Sequence, residues 1–123
     1  MPGWRLKAER SSAPGRSGGG SDLDALRNAY YMIVGFAERE TARLWRTRRS
    51  IRFGAIAERA LRSLVAIDSA VQIEDLRFPP GNRLEKLRGD REGQWSIRID
   101  RKWRICFEWE DGNAKHVEIV DYH

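Results

Sequence analysis

The 123-residue chain predicts an α+β domain, with N-terminal helices packed on one face of a mostly antiparallel sheet. Three observations carry that expectation. Apolar residues recur at three- and four-residue spacing between Ala37 and Ala70, as helices with one buried side require. From Gln94 onward the period falls to two, in runs rich in Trp, Ile and Val, as half-buried strands require. Between the two halves, Phe78-Pro79-Pro80-Gly81-Asn82 stops any helix and supplies turn chemistry.

Taken in order, residues 1–31 are unlike the rest. Ser11 to Ser21 is rich in Gly and Ser with nothing to bury, so 1–31 is expected to be a flexible extension. Within it, Asp22–Tyr31 suits a short helix with Leu23, Leu26 and Tyr30 on one side. Met32 opens a strand-like run, Met32-Ile33-Val34-Gly35-Phe36, and is expected to be the natural start, with 1–31 an upstream reading-frame extension. Residues 32–123 then form one domain with a modest core.

A helix follows from Glu38, with Ala37, Thr41, Leu44 and Trp45 on one side and Arg39, Arg43 and Arg46 on the other. Arg46-Thr47-Arg48-Arg49 suits a helix C-terminus, where cations meet the negative end of the dipole. The next helix is expected over Arg52–Ala70, its stripe Phe53, Ala57, Ala60, Leu64 and Ile67 widened by Ile56 and Leu61. A further short turn of helix covers Ile73–Leu76.

Three strands are expected over Gln94–Asp100, Trp103–Glu110 and Val117–His123. A turn at Asp100-Arg101-Lys102 pairs Ile97 with Ile105 and sets Arg98 across from Arg104. A second turn through Asp111-Gly112-Asn113, with His116 still in the turn, pairs Phe107 with Ile119 and sets Tyr122 across from Arg104. One face then packs on the helices, and the other displays Arg98, Arg104 and Tyr122, with His123 at its edge.

Composition narrows the chemistry. Hydrophobic content of 41% with 33% charged residues suits a soluble globular protein, and no apolar run approaches a membrane span. No secretion signal opens the chain, and Cys106 is the sole cysteine, so a cytoplasmic location without an intrachain disulfide is expected. The net charge of +5 is carried mainly by arginine, whose planar fork suits phosphate, although arginine-rich chains are also common in GC-rich genomes. Two arginines side by side need an anion: either Glu108 or Glu118 in a surface ion-pair ladder, or a phosphate. Arg88, Arg91 and Lys86 enlarge the same positive zone, and Gln94 lies on the Arg98 face.

No Cys/His cluster, HExxH or EF-hand spacing is present, and Asp90, Asp121 and Glu85 match no metal-ligand spacing. RNA cleavage by its own 2′-hydroxyl remains open. It needs a base, cations for the phosphate and an acid for the leaving oxygen, and His123, Glu85, Arg88, Arg104 and Tyr122 supply such parts.

The stretch Gly81-Asn82-Arg83-Leu84-Glu85, with Gly89-Asp90-Arg91, Gly93-Gln94, Ser96-Ile97-Arg98-Ile99, Trp103-Arg104-Ile105-Cys106-Phe107 and Glu118-Ile119-Val120-Asp121-Tyr122-His123, resembles the HigB toxins of the RelE-type superfamily. The resemblance runs from Met32 to His123 and has no counterpart for 1–31. It implies a RelE-like microbial RNase fold and cofactor-free, ribosome-dependent cleavage of mRNA, neutralised by a helix-turn-helix (HigA-like) antitoxin. It places the chemistry on Asp121, Tyr122 and His123, and the phosphate-stabilising cations on Arg88 and Arg104. Arg98, Arg91, Lys86 and Gln94 would contact RNA. Some relatives carry histidine where this chain has Glu85, so a catalytic and a structural role for Glu85 both stand. The rival readings are a module that occupies RNA or the ribosome without cutting, and an interaction protein whose arginines pair with an acidic partner.

Overall fold

The computed structural model describes residues 32–121. The 1–31 extension, the short helix expected over Asp22–Tyr31, and Tyr122 and His123 lie outside the described residues. Two helices, α1 (Arg39–Thr47) and α2 (Ala57–Ser69), precede four strands, β1 (Glu85–Lys86), β2 (Gln94–Arg98), β3 (Trp103–Glu110) and β4 (Asn113–Asp121). The strands form an antiparallel sheet in the order β1-β2-β3-β4. The helices cover one face, so the expected α+β layering is observed.

The strand-like run at Met32–Phe36 lies parallel to the outer edge of β4, through bridges at Ile33–Ala114 and Phe36–Val117. Four backbone bonds hold it there, among them Val34 N–H to the Ala114 carbonyl at 2.9 Å and Ala37 N–H to the Val117 carbonyl at 3.0 Å. Its start is tied to α2. The Asp68 carboxylate, 7% exposed, accepts from the Met32 and Ile33 N–H groups at 2.6 and 3.0 Å.

Helix α1 begins where its caps require. The Glu38 side chain accepts from the N–H groups of Glu40 and Thr41, filling donors that no carbonyl within the helix can satisfy. Arg48 closes the helix in the left-handed region (φ 65°), donating its N–H to the Leu44 carbonyl. Thr41, Leu44 and Trp45 are buried, as the spacing predicts. The Thr41 hydroxyl donates to Glu38 and accepts the Ile119 N–H at 3.1 Å, satisfying a donor on the β4 edge beyond the Met32–Phe36 run.

The second helix starts later than expected. Gly54 sits at φ +41°, which an α-helix cannot include, so residues 54–56 make a short 3₁₀ turn and α2 begins at Ala57. The stripe itself survives, with Phe53, Ile56, Ala60, Leu64 and Ile67 all buried. They meet Ile97, Ile105, Phe107, Val117 and Ile119 of the sheet in one core. Phe53 closes it with an edge-on contact to Trp103, centroids 5.8 Å apart.

The β2–β3 register is as expected, with Ile97 opposite Ile105 and Arg98 opposite Arg104. The β3–β4 register is not. Glu110 pairs with Asn113 across a two-residue turn, Asp111-Gly112, both at positive φ (54° and 78°). Asn113 to His116 therefore belong to the strand, and Val120, not Tyr122, stands opposite Arg104. His116 is in a β-bulge, not a turn: the pairing shifts between Cys106 and Glu108, and His116 adopts φ 52°. Burial supplies the reason. Ala114 and Val117 both face the core although three positions apart, and an odd separation on one face needs one extra residue. The expected register differed by two residues, which keeps every side chain on its face, so the apolar pattern does not distinguish the two.

Replacing Thr41 with valine removes the acceptor for the buried Ile119 N–H at nearly constant volume. The expected loss is about 1–3 kcal/mol, read from urea unfolding. A second outcome concerns pH. Burial pushes the Glu38 carboxyl up, but hydrogen bonds from Thr41 Oγ1 and the Glu40 and Thr41 N–H groups, with the Arg52 charge, hold it below its ordinary 4.5. Its contribution is therefore present above pH 4.5 and lost as the pH falls through the depressed value. Acid unfolding of a Glu38→Gln chain should show a shallower loss of stability in that range than the parent.

Candidate active site

The face of the sheet turned away from the helices carries Gln94, Ser96 and Arg98 on β2, Arg104, Cys106 and Glu108 on β3, and Glu118 and Val120 on β4. Glu85 joins it from β1, directly opposite Ser96. The segment from Pro79 to Glu92 runs alongside. Residues 80–82 form a short 3₁₀ turn, and the Asn82 side-chain amide donates to the Leu76 and Phe78 carbonyls. This anchors the turn, and Arg83 follows it in the left-handed region with φ 47°.

Arg104 is the centre of this face, with its side chain only 11% exposed. Its Nε donates to Ser96 Oγ at 2.8 Å, and Nη2 donates to the Arg83 carbonyl at 2.7 Å. Those bonds come from two different segments and fix the plane of the guanidinium. Glu85 Oε1 stands 3.6 Å from Nη2, with its side chain 59% exposed. The result is a held cation beside an open carboxylate.

A second cluster lies next to it. Arg91 Nη1 donates to Gln94 Oε1 at 3.0 Å and reaches Glu118 Oε1 at 3.3 Å. Arg91, expected with Gln94 to contact RNA, is thus engaged with Gln94 and with Glu118. Below them Cys106 is fully buried. Burial pushes its thiol above the ordinary 9.0, outweighing the nearby arginine charges, so it remains a protonated thiol rather than a nucleophile.

The two glutamates weighed from sequence as partners of the arginine pair make contacts with other residues. Glu118 serves Arg91, while Glu108 Oε2 lies 3.0 Å from His116 Nδ1. Arg98 turns along its own strand, its Nε donating to the Asp100 carbonyl at 3.0 Å. Asp100 caps the hairpin by accepting from the Trp103 and Lys102 N–H groups, which hold its carboxyl below the ordinary range.

Two expected members lie elsewhere. Lys86 pairs with Trp95 and sits 5.7 Å from its ring, on the helix side of the sheet. Alternation along β1 puts Glu85 and Lys86 on opposite faces, so Lys86 does not extend the zone around Arg104. Asp121 is opposite Trp103, likewise on the helix side, with Lys102 Nζ 3.6 Å from its carboxylate. Arg88 is exposed at the start of the 3₁₀ turn Gly89–Arg91, and its side chain has no ion pair or hydrogen bond among the described residues. Tyr122 and His123 are outside the described residues.

Sequence reasoning missed Ser96 and the Arg83 carbonyl as the groups that hold Arg104. Ser96 carried a faint signal, a small hydroxyl residue between Trp95 and Ile97 on an otherwise bulky strand. The backbone carbonyl carried none. Among the described residues no three His, Cys, Asp or Glu side chains gather to hold a metal ion. What the arrangement offers is anion recognition, with a carboxylate able to take a proton at the same place. The raised Cys106 thiol has a direct check. The folded chain at neutral pH should resist iodoacetamide and become alkylated only when urea is added.

Comparisons with known proteins place the chain in a family. Residues 36–123 match the family described as "RelE-like toxin of type II toxin-antitoxin system HigB". "Toxin HigB-1" of Vibrio cholerae serotype O1 is 43% identical over 65 residues, which is 53% of this chain and 68% of that protein. "Endoribonuclease HigB" of Proteus vulgaris is 43% identical over 60 residues, 49% of this chain and 64% of the relative. An "Uncharacterized protein" of Haemophilus influenzae is 31% identical over 58 residues, covering 47% and 57%. With the family matching over most of its length and its fold in accord, the chain belongs to the HigB toxins, RelE-like toxins of type II toxin–antitoxin systems.

Proposed function

We propose that this chain is a ribosome-dependent endoribonuclease that cuts mRNA in the cytoplasm and is held in check by a helix-turn-helix antitoxin. The observation that carries the proposal is Arg104, fixed by Ser96 and the Arg83 carbonyl beside Glu85 on the open face. The Proteus vulgaris relative's printed name, an endoribonuclease, supports the reaction. No helix among the described residues is long and apolar enough to cross a membrane.

The reaction is attack of a ribose 2′-oxygen on the adjacent phosphorus, with rupture of the P–O5′ bond. The products are a 2′,3′-cyclic phosphate and a 5′-hydroxyl. The 2′-hydroxyl proton goes to a base, and the departing O5′ takes one from an acid. Charge builds on the phosphoryl oxygens, and a cation already in place stabilises it without reorganisation. Arg104 supplies that cation, and the exposed Arg88 adds a second on the loop. Glu85 takes the 2′-hydroxyl proton, His123 returns one to the leaving oxygen, and Tyr122 positions the nucleotide. Asp121, beside Lys102, ends β4 and orients the terminal pair. Arg98 extends the grip on the strand, while Arg91 and Gln94 brace the sheet beneath it.

Primer extension on a translated message tests this. The parent chain should cut within codons only while translation proceeds. Arg104→Ala should lower cleavage by about 10²–10³, and Glu85→Gln by about 10²–10⁴, with circular dichroism confirming that both remain folded. Stalled ribosomes carrying intact messages would instead identify a non-cleaving binder.

A further inference from the structure

We infer that the outer face of α1 and the turn after it form a second RNA-binding surface, one that takes the phosphates of double-helical RNA. Residues 38–52 hold six arginines and two glutamates, a net of +4 in a chain whose total is +5. Arg39, Arg43 and Arg46 recur at i, i+4 and i+7, opposite the buried Thr41, Leu44 and Trp45. On a helix rising 1.5 Å per residue, the stripe is about 10 Å long.

The neighbouring carboxylates are already committed. Glu38 caps the helix and pairs with Arg52 at 2.7 Å, and Glu40 accepts from Ser50 Oγ at 3.0 Å. Among the described residues, the side chains of Arg39, Arg43, Arg46 and Arg49 have no ion pair or hydrogen bond, and all four are exposed. Fold stability does not explain the pattern. Arg39 is at the first turn of α1, where the dipole disfavours a cation, and like charges at i, i+4 repel. The turn is nevertheless well pinned. Thr47 Oγ1 donates to the Arg43 carbonyl at 2.8 Å, and the Arg48 guanidinium stacks 4.6 Å from the Trp45 ring. Arg43, Arg49 and Arg52 border a cleft of about 700 Å³ beside this turn.

The chemistry selects duplex RNA. Trp45 is buried, so this surface offers no aromatic platform on which unpaired bases would stack. Its one large exposed apolar side chain among the described residues is Ile51, 97% exposed, far short of the apolar core a protein interface requires. Forks carried at regular intervals along a helix suit regularly spaced phosphates, the feature by which double-stranded RNA is mainly recognised. Helix α1 lies across the sheet from Arg104, so this surface meets an RNA segment other than the strand at that face. The inference goes beyond the proposed cleavage reaction and does not depend on it.

The test is binding of the full chain to a blunt-ended RNA duplex, read by fluorescence anisotropy across a potassium chloride series. An Arg39→Gln, Arg43→Gln, Arg46→Gln chain should bind at least about tenfold more weakly, and its log K against log salt slope should fall by about 2–3. The corresponding lysine triple should keep the slope. If the glutamine triple does not fold by circular dichroism, Arg39→Gln alone should lower the slope by about one. An unchanged slope in the folded glutamine variant overturns the inference. So does intact duplex binding accompanied by loss of binding to the purified antitoxin, which would assign the stripe to a protein partner.

Discussion

The register of β4 is the constraint from which the rest of the molecule follows. That strand is hydrogen-bonded on both sides, by β3 along one edge and by the Met32–Phe36 run along the other. Where the parallel run ends, Thr41 takes over by accepting the Ile119 N–H, so the position of α1 is tied to the same strand. A slip of one residue would turn Ala114, Val117 and Ile119 out of the core and break all three attachments together. The Asp111-Gly112 turn and the His116 bulge are the devices that prevent it, since each demands a positive φ at a set place.

On the other face, the same pairing creates the Arg104 site. Arg104 is held across strands by Ser96 and from outside the sheet by the Arg83 carbonyl, so a cation is kept at low exposure with its plane already set. A guanidinium that had to be ordered on each encounter would lose side-chain entropy every time; here that loss is met during folding. The neighbouring Arg91, Gln94 and Glu118 form a closed polar cluster over the buried Cys106. Two arginines close in space therefore have different work, one presented beside an open carboxylate and one committed to a glutamate.

The helix layer has its own division. One side of α1 is bound into the core and the β4 edge, while the other presents cations that no described carboxylate neutralises. The core uses the side that sequence periodicity marks most clearly, which leaves the opposite side free for partners. Basic charge is thus divided between the two layers of the protein rather than gathered around one site.

How much of this was readable in the chain differs by kind of interaction. The layer order, the buried stripe of α2, the β2–β3 pairing and the Arg98–Arg104 adjacency all follow from period and turn residues, because burial imposes a repeat that side-chain type records. The resemblance to HigB toxins was legible too, in the run from Gly81 to His123. Three features were not. The two-residue error in β4 arose because apolar alternation is blind to even shifts, and the extra residue at His116 had to be seen in backbone geometry. Lys86 fell on the helix side of the sheet because a face is assigned by pairing, not by charge. The anchoring of Arg104 depends on a loop carbonyl, a group every residue possesses, so no residue type could announce it. Local pattern thus told which elements form and which faces they bury; long-range hydrogen bonding set which arginine stands beside which carboxylate.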